Sequence, residues 1–123
     1  MQKDSKIYIA GHRGMVGSAM FRNLAAKGYL NIVTRSSFEL DLRNQQAVND
    51  FFLAEKPVYV FLAAAKVGGI YANNTFRAEF LYDNLMMEIN IIHEAWKNGL
   101  SKLMFLGSSC IYLKMVGQSL KEI

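Results

Sequence analysis

With 123 residues, 52% of them apolar, the chain has enough nonpolar mass for one globular domain and too little length for two. One cysteine excludes an internal disulfide framework and fits a reducing cytoplasm, while a net charge of +4 with no basic run argues against a nucleic-acid surface and suits a small anionic ligand. Residues 1–5 are polar and the longest apolar runs have strand length, so neither a secretory nor a membrane segment is expected.

The first element is a short buried strand, Lys6-Ile-Tyr-Ile-Ala10, which runs through Gly11, Gly14 and Gly17 into a helix over about 15–27. Spaced G-x-x-G-x-x-G, the three glycines serve different ends. The first lets the backbone turn sharply, the second lets a phosphate approach the main chain, and the third lets the helix pack against the strand. The helix start then offers unpaired N–H groups and a positive dipole end to an anion. A strand before the glycines and an amphipathic run after them, with Val16, Met20 and Leu24 on one face, give the context of a dinucleotide pyrophosphate site. Gly28 is placed to cap the helix.

A second, β-branched strand at about 31–34 ends at Arg35-Ser-Ser37. An NAD enzyme places an acid at this point to grip the ribose 2′-hydroxyl, and none stands there. Arg35, with Arg13 in the glycine loop, is suited instead to a 2′-phosphate, which favours NADP; the alternative is two solvated surface arginines. Asp41 and Leu42 could lie over the adenine, or Asp41 could cap the helix expected at about 44–55. Val48, Phe51 and Phe52 recur there at helical spacing, and Lys56-Pro57 stops it.

The run Val58-Tyr-Val-Phe-Leu-Ala-Ala-Ala65 reads as a parallel strand covered on both faces. Ala63, Ala64 and Ala65 clear space at its carboxyl end, where ligands of open α/β sheets sit, and the loop Lys66-Val-Gly-Gly-Ile70 follows over the same edge. The longest helix is expected at about 78–98, ended by Gly99. Phe80, Leu81, Leu85, Ile89, Ile92 and Trp96 form a broad apolar stripe, and Tyr82, Met86, Met87 and Ile91 extend apolar surface around the cylinder. One stripe suffices for the sheet, so the remainder points to a partner helix, most simply a second copy of the chain. The fourth strand, from Lys102, ends in Ser108, Ser109 and Cys110 at the edge that carries the glycine turn. A hydroxyl there can bond a substrate carbonyl. The thiol is either an acid/base or an inert buried group.

Residues 6–112 resemble the N-terminal part of the GDP-L-fucose synthases, a family of extended short-chain dehydrogenase/reductases. Three motifs carry the resemblance: Ala10-Gly-His-Arg-Gly-Met-Val-Gly-Ser-Ala19; Leu62-Ala-Ala-Ala-Lys-Val-Gly-Gly-Ile70 with Ala72-Asn-Asn-Thr75; and Phe105-Leu-Gly-Ser-Ser-Cys-Ile-Tyr112. It implies an α/β fold, a doubly wound parallel sheet forming the NADP-binding half of a Rossmann domain, with the substrate domain lying downstream of Ile123. It also implies epimerisation of the GDP-sugar GDP-4-keto-6-deoxy-D-mannose at two carbons beside its ketone, followed by hydride transfer from NADPH to give GDP-L-fucose. The NADP is then held by Gly11, Arg13, Gly14, Met15, Val16 and Gly17, by Arg35, Asp41 and Leu42, by Ala63 and Ala64, and by Leu106, Gly107, Ser108 and Ser109. The resemblance gives Ser108 a role at the carbonyl, makes Cys110 an acid/base in epimerisation, and places the long helix in a homodimer contact.

The family's Tyr-x-x-x-Lys pair is missing, since no lysine follows any of the six tyrosines at the fourth position. Proline is replaced by Arg77 and Leu113, and Ser37 stands where bacterial relatives often carry the arginine that grips the 2′-phosphate. Strands in the order 3-2-1-4 would leave the fourth as a bare edge. The expectation is an inactive, marginal, self-associating fold that binds NADP weakly or not at all without the rest of the enzyme. The alternative is a non-catalytic NADP-binding or interaction module derived from the same fold.

Overall fold

Ile7-Tyr-Ile-Ala10 is apolar at four consecutive positions, a pattern satisfied only by covering both faces of a strand. The computed structural model describes residues 1–63 and 77–105, with the backbone alone at 77 and 80. In it these four residues form β1 (Ile7–Ala10), and none is more than 1% exposed. The remaining elements are α1 (Met15–Ala26), β2 (Ile32–Val33), α2 (Gln45–Glu55), β3 (Tyr59–Leu62), α3 (Arg77–Lys97) and β4 (Lys102–Phe105).

All strand pairs are parallel, and the sheet order is β2-β1-β3-β4. The expected order 3-2-1-4 is therefore corrected to 2-1-3-4. Only Ile7↔Ile32 and Tyr8↔Val33 pair β1 with β2, whereas β3 matches β1 over its full length, from Ile7↔Tyr59 to Ala10↔Leu62. A two-residue, half-buried β2 suits a sheet edge, and the apolar β3 takes the interior place beside β1. β4 pairs with β3 from Tyr59↔Lys102 to Leu62↔Phe105 and with no further strand among the described residues, so the bare edge is present.

Right-handed crossovers put α1 on one face and α2 and α3 together on the other, where the two helices touch. Between them and the sheet lies the main core: Tyr8, Ala10, Val60 and Leu62 from the strands, Val48, Phe51 and Phe52 from α2, Ile91 and Ala95 from α3. Tyr8, Phe51 and Phe52 form an aromatic trio with centroids 4.5 to 6.2 Å apart. Each such pair adds about 0.5–1.5 kcal/mol beyond its area. Burial pushes the Tyr8 phenol above its ordinary pKa, against the pull of Arg35.

On the α1 face the cover is partial. Gly17 is the buried residue of α1, and Val16, Met20 and Leu24 line an open groove over Phe61. β3 accordingly buries Val60 and Leu62 fully and Tyr59 and Phe61 by half, which corrects the expectation of a strand covered on both faces.

The helix ends follow their local sequence. Gly28 at φ +90 and Gly99 at φ +75 let Tyr29 and Leu100 donate to Leu24 and Ala95, closing both helices with six-residue turns. The Asn44 side chain accepts from the Ala47 N–H at 3.1 Å and caps α2.

α3 turns its apolar stripe outward. Leu81, Leu85, Ile89, Ile92 and Trp96 are exposed, Trp96 by 75%, while the sheet side carries Asp83, Met87, Asn90, Ile91, Glu94 and Ala95. The expectation that this stripe serves the sheet is thus reversed. The buried polar groups have partners both local and distant. Glu94 lies within 3.4 Å of the Lys97 ammonium, and Asn90 donates to the Leu42 carbonyl at 2.8 Å.

Candidate functional site

β2 and β3 leave β1 on opposite sides, so the crossovers diverge and a crevice opens beyond the carboxyl end of β1. Ligands of doubly wound sheets bind at such a switch point. The glycine turn sits there. Gly11 has φ +86, a conformation L side chains rarely adopt, and its carbonyl accepts from the Gly14 N–H at 3.2 Å. A Cβ on Gly17 would stand 1.9 Å from that same carbonyl oxygen, so the third glycine is required by packing. At Gly14 a Cβ would meet Gly11 at 3.5 Å, an ordinary contact. The protein itself therefore does not demand a glycine there. Gly14 is the N-cap of α1 and brings no capping side chain, and the first turn holds no acid. Its N–H groups and dipole are left for an anion.

An open cleft of about 640 Å³ adjoins the turn. Gly11, His12, Arg13 and Gly14 form one wall; Arg35, Ser36, Ser37, Phe38, Leu40, Asp41, Leu42 and Arg43 form another; Ala63, Asp83 and Met87 close it. Of the sequence-derived candidates, Gly11, Arg13, Gly14, Arg35, Asp41, Leu42 and Ala63 thus come together, with Gly17 packed beneath the turn. The side chains of Met15 and Val16 line the separate groove over Phe61, which leaves their amides as the groups at the helix start. Ala64, Leu106, Gly107, Ser108, Ser109 and Cys110 lie outside the described residues, as does the 66–70 loop.

Charge around the cleft is heavily paired. Arg35 donates to Glu55 at 2.9 Å and to the Thr34 carbonyl at 2.8 Å, and lies over the Phe51 ring at 5.4 Å. Asp41 does not cap α2. It accepts from the Arg43 backbone N–H and from Arg43 Nε and Nη2, each at 3.0 Å, and these bonds hold its carboxyl below the usual range. Arg43 also reaches Asp83 at 3.5 Å. Together with the Asn90 bond to Leu42, this ties the 41–43 segment to α3.

Four residues that the sequence reading passed over shape this wall: Glu39, Glu55, Asp83 and Asn90. Glu39 accepts from the Ser36 N–H at 2.8 Å while its own N–H donates to the Ser36 hydroxyl at 3.3 Å, a reciprocal capping box. The Ser36 bonds hold the Glu39 carboxyl low, helped by the fields of Arg35 and Arg13. Ser36-x-x-Glu39 is the signal that could have found it. Asp83 and Asn90, seven residues apart on α3, put buried polar groups on its sheet side.

Among the described residues, no group of three or more His, Cys, Asp or Glu could hold a metal ion, and no helix is long and apolar enough to cross a membrane.

Comparison with known proteins agrees with this geometry. The chain is 55% identical over 120 residues to GDP-L-fucose synthase 1 of Arabidopsis thaliana, covering 98% of this chain and 37% of that one. It is 55% identical over 117 residues to the GDP-L-fucose synthase of Escherichia coli K12, covering 95% of this chain and 36% of the relative. Among solved structures, a GDP-mannoheptose C4 reductase from Campylobacter jejuni with NADP bound superposes with a TM-score of 0.93 at 49% identity, over 98% of this chain and 38% of that one. The chain thus spans little more than a third of the length of these relatives. The model of the NAD dependent epimerase/dehydratase family matches residues 7–122, and the chain belongs to that family.

Proposed function

We propose that this chain supplies the NADP-binding part of a nucleotide-sugar epimerase/reductase that converts GDP-4-keto-6-deoxy-D-mannose to GDP-L-fucose. The observation that carries the reading is the glycine turn. Gly17 is needed for packing, whereas Gly14 faces a cleft lined by Arg13 and Arg35 without being needed by the fold. The uncapped helix start fits a pyrophosphate, the two arginines fit a 2′-phosphate, and Asp41 with Leu42 fits the adenine edge and face. When bound, NADPH supplies the hydride. Ser108 would donate a hydrogen bond to the sugar carbonyl, and Cys110 would move a proton on and off the neighbouring carbon.

Self-association belongs to the same proposal. The exposed stripe of Leu81, Leu85, Ile89, Ile92 and Trp96 on α3 offers a continuous apolar face to a second copy across a two-fold axis. The single cysteine supports a cytoplasmic setting.

The second reading is a non-catalytic NADP-binding or interaction module derived from the same fold. Coding sequence past codon 123 separates the two: an in-frame Tyr-x-x-x-Lys supports the enzyme, and a native stop supports the module. For the cofactor itself, NADPH and NADH are titrated into the chain and followed by NMR shift changes, which register weak binding. Shifts at residues 11–17 with tighter NADPH binding are expected. Equal affinity for both cofactors would contradict the 2′-phosphate assignment.

A further inference from the structure

Arg35 is not free to move in the cleft, because one acidic residue at the far end of α2 holds it. Glu55 Oε1 accepts from Arg35 Nη2 at 2.9 Å, and Glu55 Oε2 accepts from Lys6 Nζ at 3.0 Å. Arg35 Nη1 is spent on the Thr34 carbonyl at 2.8 Å, and the guanidinium lies 5.4 Å from the Phe51 ring centroid. All three charged side chains are about a third exposed, so the cluster is partly shielded from water. A guanidinium has five N–H donors, and these bonds account for two of them.

Two opposing effects have to be weighed. A carboxylate beside an arginine offsets the charge that would attract a phosphate. Here Lys6 occupies the other carboxylate oxygen, so Lys6, Glu55 and Arg35 together keep one net positive charge. The hydrogen bond and charge of Lys6, with the field of Arg35, hold the Glu55 carboxyl below its ordinary pKa. What Glu55 adds is geometry. Without it Arg35 would be anchored by one backbone carbonyl and a ring face, and an arginine left to sample rotamers loses that entropy on binding an anion.

We infer that Glu55 is a positioning residue for cofactor selection, fixing the Arg35 guanidinium on the cleft wall so that its remaining donors meet a 2′-phosphate. This rests on the NADP reading of the cleft. It assigns discrimination between phosphorylated and unphosphorylated dinucleotides to a residue that need not touch the nucleotide.

The test is a double-mutant cycle on the 123-residue chain, with dissociation constants for NADPH and NADH measured on the parent, Glu55→Gln, Arg35→Ala and the double variant. The NADPH-over-NADH preference is expected to fall about tenfold in Arg35→Ala, about threefold in Glu55→Gln, and no further in the double variant than in Arg35→Ala. NADH affinity should change little in Glu55→Gln, where a merely structural role would weaken both cofactors alike. Glu55→Asp keeps the charge but shortens the arm, and it replaces Glu55→Gln if the latter loses its cooperative melt. A preference unchanged or raised in the Glu55 variants, while Arg35→Ala lowers it, would overturn the positioning role alone. No loss in Arg35→Ala, or no binding of either cofactor to the parent, would overturn the reading of the cleft and this inference with it.

Discussion

β1 and β4 are parallel strands of four residues in one sheet, yet β1 is wholly buried while Lys102, Met104 and Phe105 of β4 are exposed. Apolarity alone does not separate them, since Leu103-Met-Phe105 is as nonpolar as Ile7-Tyr-Ile9. Neighbours do. β1 has a strand on each side and helices over both faces, whereas β4 pairs with β3 alone and carries no helix over Met104 and Phe105 among the described residues. The cleft beside the glycine turn is built on the completed half. The outer face of α3 and the β4 edge form a second, unsatisfied half suited to association.

The sharpest way to break this contrast is to overfill the completed half. Gly17→Ala puts a methyl 1.9 Å from a backbone oxygen that cannot rotate away. It should cost about 3 kcal/mol or more in a denaturant melt, at or beyond the upper end of ordinary overpacking. A matched pair of aromatic truncations comes next. Phe52 is 1% exposed and Trp96 is 75% exposed. Phe52→Ala should cost about 3–5 kcal/mol, and Trp96→Ala should stay within about 0.5 kcal/mol while, if the proposed self-association holds, lowering the sedimentation coefficient. Equal losses from the two would erase the distinction between the halves. Asn44→Ala removes the cap of α2 and should cost about 1 kcal/mol.

The smallest effect concerns acid. Glu39, Asp41 and Glu55 have carboxyls held below their ordinary values by Ser36, Arg43 and Lys6 respectively. Groups whose folded pKa is lowered contribute stability above the unfolded value, about pH 4, and lose it as pH falls through the folded value. Thermal midpoints should therefore be flat from pH 7 to about 5 and decline below. Because these carboxylates are all in contact with solvent, the decline should be shallow.

How much of this was legible in the sequence follows from the range of the forces involved. The strand-glycine-helix turn, the Gly28 and Gly99 stops and the limits of α2 depend on local backbone conformation, and they appear where the pattern puts them. Strand order depends on which partner each strand meets, and a two-residue β2 looks no different in sequence from an interior strand. The direction of α3 was unreadable for a related reason. Its apolar stripe was plain, but the bonds that turn Asp83 and Asn90 inward run to Arg43 and Leu42, some forty residues earlier. Asp41 shows the same limit, since nothing local decides between a helix cap and an ion pair with Arg43. Ser36-x-x-Glu39, by contrast, was legible as a capping box.

Gly14→Ala tests the central claim most directly. Its added methyl meets nothing closer than 3.5 Å in the protein and sits at φ −73, an ordinary value, so the chain should still fold. The expected result is a cooperative melt lowered by no more than about 1 kcal/mol, the cost of alanine at a helix N-cap, with NADPH binding weakened about tenfold or more, because the methyl intrudes where a phosphate approaches the main chain. Unchanged NADPH affinity in a folded Gly14→Ala chain would show that the nucleotide does not lie against the turn.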